Sequence, residues 1–192
     1  MSSIDFPGKQ QLVDALDDAL EQGSTPAITD AIRNTLCRII REQSVELPAC
    51  VFEPAKDHYA RRELYQSERY GYGVVAMTWA PGQGTPVHDH AGLWCVEGVW
   101  QGALEIAQYQ LLERDHNRYR MRPVGTIQAG AGSAGSLIPP HEYHAILNPS
   151  EDTVTVSVHI YSAPMTTCCV FNPLHDEWYE SDQRQLGLDQ MH

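Results

Sequence analysis

The stretch PVHDHAGLWC, residues 86–95, sets two histidines one residue apart and a cysteine five places beyond the second. It follows an apolar run, YGVVAMTW, and a turn, APGQG. In an extended chain side chains alternate, so His88 and His90 point to one face, where two imidazoles can share a metal ion. Residues two apart on a helix diverge and could not do this. Two surface histidines on a loop give the same short pattern, so the decision rests on the surroundings.

The surroundings are β-rich. From about residue 49 short runs such as YGVVAMTWA, GLWCVEGVW, ALEIAQYQL, HAILN and TVTVSVHIYS are broken by Gly, Pro and Asn. Many short strands at regular spacing predict an antiparallel barrel or sandwich. QAGAGSAG, residues 128–135, reads as a flexible loop between strands; no GKS or GKT follows it, so it is not a phosphate cradle.

Residues 9–46 carry a helical period instead. Leu12, Leu16 and Leu20 recur every fourth position, and Gly23 is a stop. Ser24-Thr25-Pro26 then opens a second helix with a capping hydroxyl and an early proline, and Ile28, Ile32, Leu36, Ile39 and Ile40 mark its face. The chain thus divides into an N-terminal helical segment (1–48) packing on the barrel, the barrel (49–172), and a polar C-terminal tail (173–192) that lies on the surface with room for a short helix. At 192 residues this suits one domain with extensions.

Composition narrows the function. The net charge of −12 excludes partners recognised through phosphate, so neither nucleic acid nor an anionic membrane surface is expected. No apolar run approaches the roughly 20 residues that span a bilayer, and MSSIDFPGKQQ lacks the apolar core of a signal peptide. Five cysteines without a framework spacing suit a reducing cytoplasm.

Gly82, His88, His90, Cys95 and Gly102 together resemble the first motif of the cupin superfamily, small antiparallel barrels or jelly rolls that hold a metal in the lumen. That motif usually has glutamate where Cys95 stands. A second cupin motif supplies one more histidine, followed four residues later by asparagine, and His144 with Asn148 fits it. His141, in Pro139-Pro140-His141, is a rival third ligand. Three neutral imidazoles leave a divalent ion its full charge and open positions, and they suit iron, zinc, copper or nickel.

TVTVSVHIYS alternates strictly: Val154, Val156, Val158 and Ile160 share one face, and Thr155, Ser157, His159 and Tyr161 the other. The polar face suits either solvent or the lumen of a barrel.

Tyr59-Ala-Arg61, HDH with Cys95, HAILN, SVHIYS and TTCCVF, in this order over roughly 110 residues, resemble the thiol dioxygenase family of cupins, cysteine dioxygenase most of all. The resemblance implies a mainly β cupin fold behind an N-terminal helical pair, and Fe(2+) held by His88, His90 and His144. It implies a relay of Ser157, His159 and Tyr161 and a thioether cross-link between Cys95 and Tyr161. Arg61, beside Tyr59, would hold a substrate carboxylate, with the adjacent Arg62 as alternative. The implied reaction adds both atoms of dioxygen to the sulfur of a small carboxylated thiol. L-cysteine giving the sulfinate leads, and 3-mercaptopropionate and mercaptosuccinate stay open because Ala163 stands where cysteine-specific members often carry proline. Another cupin enzyme, using Glu97 as an acidic ligand, and a non-catalytic metal- or ligand-binding cupin are the other readings.

Overall fold

The computed structural model describes residues 4–191, so residues 1–3 of the N-terminal segment and residue 192 of the tail lie outside the description. The two expected helices form: α1 (Lys9–Leu20) and α2 (Thr25–Glu42). Leu12, Leu16, Ile32, Leu36 and Ile39 are buried, as the four-residue spacing requires. Ser24 does sit at the N-cap of α2, in extended conformation, and its carbonyl accepts the Ile28 amide. Its hydroxyl makes no capping bond, contrary to the sequence expectation.

A short 3₁₀ turn (Ala49–Phe52) leads into the strands β1 (Ala60–Gln66), β2 (Gly73–Trp79), β3 (Val87–His88) and β4 (Cys95–Gln101). A long hairpin follows, β5 (Ala103–Asp115) and β6 (Arg118–Gly130), then β7 (Ala134–Leu137), β8 (His144–Leu147), β9 (Thr155–Tyr161), β10 (Thr167–Pro173) and β11 (Trp178–Gln185). One sheet runs β1-β2-β9-β4-β7; the other runs β10-β11-β6-β5-β8-β3, and β3 pairs back onto β10 to close it. This is the mainly β antiparallel barrel that the short, evenly broken runs predict.

The C-terminus differs from the expected tail. Trp178–Gln185 is a strand, not a helix, and pairs with both β10 and β6. WYESDQRQ has almost no apolar face, so its own pattern does not announce a strand. Its conformation comes from unpaired backbone groups on two neighbouring strands, which a third strand satisfies.

The helices decide which way the first sheet faces. Val74, Ala76, Val96, Val156, Val158 and Ile160 pack in one cluster with Leu16, Ile32, Leu36 and Ile39. Gly98 lets α2 come close, because a Cβ there would press on Leu36 and Ile40. With its valine face committed to the helices, β9 must turn Ser157, His159 and Tyr161 inward. The lumen holds a second cluster, in which Val75, Met77, Trp79, Cys95 and Tyr161 from the first sheet meet Leu104 and Ile146 from the second. Among the described residues no helix is long and apolar enough to cross a membrane, and all five cysteines are free.

Candidate metal centre

His88 and His144 stand directly opposite each other where β3 pairs with β8. His90 lies just past the end of β3. Asp89 between them turns the other way, where its carboxylate accepts the Cys169 and Ala91 amides. That anchor keeps the alternation of HDH although the strand ends at His88. The ligand atoms of His88, His90 and His144 all lie within 4.8 Å of one another, and among the described residues this is the one such group of histidine, cysteine or acid side chains. His141, the rival, is exposed on the preceding turn. Asn148 explains its own place in the motif: its amide donates to the carbonyls of Trp79 and Thr153, tying the end of β8 to the end of β2.

The cluster fits a divalent transition metal. His88 Nδ1 donates to the Pro86 carbonyl, which leaves its Nε2 as the free electron pair. That Nε2 is 3.1 Å from His144 Nε2. Two imidazole nitrogens that share an ion at about 2.0–2.1 Å each lie no more than about 4 Å apart, so this pair is close enough. Burial above all, and then the neighbouring histidines, holds His90 and His144 well below the ordinary imidazole value, so both are neutral donors. Glu97 does not complete the shell. Its carboxylate approaches His159 instead, at 3.5 Å from Nδ1.

The three residues expected as a relay are all buried on the lumenal face of β9. Ser157 Oγ is 2.8 Å from His159 Nε2 and accepts the Trp79 indole N–H at 2.9 Å. The rings of His159 and Tyr161 stack with centroids 6.0 Å apart, and Tyr161 lies 6.0 Å from the His90 ring. Burial first, then Cys95, pushes the Tyr161 phenol well above its ordinary range, so it keeps its proton. Cys95 is directly across the ladder from Tyr161 and 4.0 Å from His159 Nδ1. Burial, reinforced by Glu97, holds Cys95 as a thiol.

A cavity of about 90 Å³ joins these groups; Tyr59, Arg61, the three histidines, His159 and Tyr161 all line it. Tyr59 stacks on Trp79 at 4.6 Å. Arg61 faces the cavity, with Nη1 on the Gly187 carbonyl and Nη2 on the Met165 carbonyl. Two of its five N–H donors are so engaged, and Nε has no partner among the described residues. Arg62 points the other way, to Thr78 and the Glu53 carbonyl, as alternation along a strand demands.

Sequence reasoning missed several neighbours. Leu186, Cys168 and Arg184 line the same cavity. Asp189 accepts the Arg61 amide and contacts His58 at 2.9 Å, strapping the C-terminal segment beside Arg61. Trp79 was legible only as an apolar strand residue, and its role rests on a partner 78 positions away. For the C-terminal residues no local pattern gives the signal.

A lumenal three-histidine cluster in a double-sheeted antiparallel barrel defines a cupin with a candidate metal site. The family described as cysteine dioxygenase type I matches residues 51–173, and the chain belongs to that family. Curated relatives include cysteine dioxygenase type 1 from Rattus norvegicus, 23% identical over 111 residues, 58% of this chain and 54% of the relative. The Danio rerio protein of the same name is 24% identical over 111 residues, covering 58% and 55%. The chain spans about half the length of these relatives. Among solved structures, a Klebsiella pneumoniae protein with a double-stranded β-helix domain is 18% identical, with a TM-score of 0.46 over 60% of this chain and 80% of that one.

Proposed function

We propose that the chain is an iron-dependent thiol dioxygenase acting on a small carboxylated thiol. The observation that carries this reading is one lumenal cavity shared by three neutral imidazoles, without a carboxylate ligand, and by the guanidinium of Arg61. The net reaction is RSH + O2 → RSO2⁻ + H⁺, in which sulfur gains both oxygen atoms and four electrons pass to dioxygen. Iron at His88, His90 and His144, when bound, supplies redox capacity and a positive charge that favours thiolate over thiol.

The protein does the rest. Arg61 pairs with the substrate carboxylate through parallel hydrogen bonds from its uncommitted donors. Tyr161, protonated by virtue of its burial, donates a hydrogen bond towards the reacting sulfur. His159 and Ser157 hold the relay behind it. The apolar walls, Met77, Trp79, Ile146 and Val170, exclude water. Cys95 and Tyr161, opposite on paired strands, suit a thioether. The S–H and a ring C–H are lost, and dioxygen takes up two electrons and two protons as the S–C bond forms.

L-Cysteine is the leading substrate, its amine entering as a neutral donor. Mercaptosuccinate is the second reading, favoured by Arg184 on the lining of the same cavity and by the lack of an acidic lining residue among those described. Oxygen uptake by the iron-loaded protein, with metal analysis and a panel of cysteine, 3-mercaptopropionate and mercaptosuccinate, tests both. One dioxygen consumed per sulfinate formed is expected. Metal binding without uptake on any thiol would leave the non-catalytic cupin instead.

A further inference from the structure

A second cavity, about 170 Å³, lies behind the relay and is lined by Glu97, Ser133, Ser136 and Ser157 with apolar residues of β5 to β7. Ser157 and Glu97 face this cavity, whereas His159 and Tyr161 line the metal cavity. The relay is therefore the wall between the two. Glu97 is almost fully buried, and its Oε2 has no hydrogen-bond partner among the described residues. His159 Nδ1 lies 3.5 Å from this oxygen and 4.0 Å from Cys95 Sγ.

Donor counting orients the network. The Trp79 indole nitrogen can only donate, so Ser157 Oγ accepts from it. The Ser157 hydroxyl then has its own proton to place, and His159 Nε2 at 2.8 Å is its partner. That leaves the His159 proton on Nδ1, between Glu97 Oε2 at 3.5 Å and Cys95 Sγ at 4.0 Å, of which the oxygen is the stronger acceptor. In the opposite tautomer Ser157 would accept from both Trp79 and His159, and its own O–H would have only the second cavity left to point into.

We propose that Glu97 is a positioning residue: its Oε2 accepts the Nδ1–H of His159, fixes that tautomer and links the relay to the second cavity. The donors then run in one direction, Trp79 to Ser157 to His159 to Glu97, and end at a space that can hold water. Burial alone raises the Glu97 carboxyl to about 8, and burial first, then Arg61, lowers His159 to about 3, so both groups are neutral; the carboxyl proton then belongs on Oε1, which leaves Oε2 to accept. The link to turnover rests on the thiol dioxygenase reading, whose net reaction releases a proton; the tautomer does not.

The test is nitrogen NMR of the metal-free, ¹⁵N-histidine-labelled protein. Wild type and Glu97→Gln are expected to show His159 as Nδ1–H, because the glutamine amide oxygen can still accept. Glu97→Leu is expected to shift it to Nε2–H, with Glu97→Met as the second apolar variant should the leucine protein not fold. In the iron-loaded enzyme the apolar variant should lower kcat about tenfold at unchanged KM, with the glutamine variant near wild type. An apolar variant that keeps Nδ1–H overturns the proposal. A shifted tautomer with unaltered kcat upholds the positioning and tells against the relay in the proposed reaction.

Discussion

The two sheets contribute to the site in opposite ways. In the first sheet every residue of β2 and β9 is buried, one face under the helices and the other in the lumen. In the second sheet the strands that carry His88 and His144 are two and four residues long, and the β5–β6 hairpin leaves most side chains in solvent. A strand covered on both sides is held in register by every apolar contact it makes. That is where the relay residues sit. The histidines rest on short strands positioned by a cross-pair and by the Asp89 anchor, so they have fewer supporting contacts of their own.

This contrast can be broken most sharply at the ligands. His144→Ala should lower metal affinity more than about 100-fold with the fold intact, and His141→Ala should change nothing, as metal titration of the purified proteins will measure. Stability should divide the sheets. Leu36→Ala, beneath Gly98 in the helix-covered layer, should cost about 2–5 kcal/mol by urea unfolding. Ile127→Ala, 49% exposed on the second sheet, should stay within about 0.5 kcal/mol.

Glu97 gives the first sheet a pH signature. Its folded value of about 8 lies above the ordinary carboxyl value of 4.5, so between these limits the folded protein binds the extra proton. Stability therefore falls as pH rises through that window. Glu97→Gln should flatten the slope and be more stable by a few kcal/mol at pH 7, as urea midpoints across pH 5–8 will record. A smaller effect is expected at the cavity mouth. Arg61→Ala should weaken carboxylated thiols about 10- to 100-fold, seen in KM, and have less effect on a thiol lacking a carboxylate.

The alternation TVTVSVHIY was enough to announce β9 and its two faces, and the HxH spacing was enough to pair His88 with His90. Choosing the lumenal face needed α1 and α2 in place, since valines facing helices and valines facing a core look alike in a sequence. The Asn148 spacing favours His144 over His141, and the turn between them, which leaves His141 exposed, needs the fold to be seen. Arg61 and Arg62 were ambiguous until Thr78 and the Glu53 carbonyl accounted for Arg62. Glu97 read as a spare ligand because spacing alone puts it on the Cys95 face. Only the fold brings His159 beside it. The last strand was illegible because its partners, not its side chains, make it a strand.

The central claim is that three imidazoles and no carboxylate hold the iron beside Arg61. An anomalous-difference map at the iron edge, from crystals of the iron-loaded protein, tests it directly. The account predicts one peak within bonding distance of nitrogens from His88, His90 and His144, with Arg61 facing it across the cavity. A peak bonded to Glu97 or any other carboxylate, or one lying away from these three rings, would contradict it.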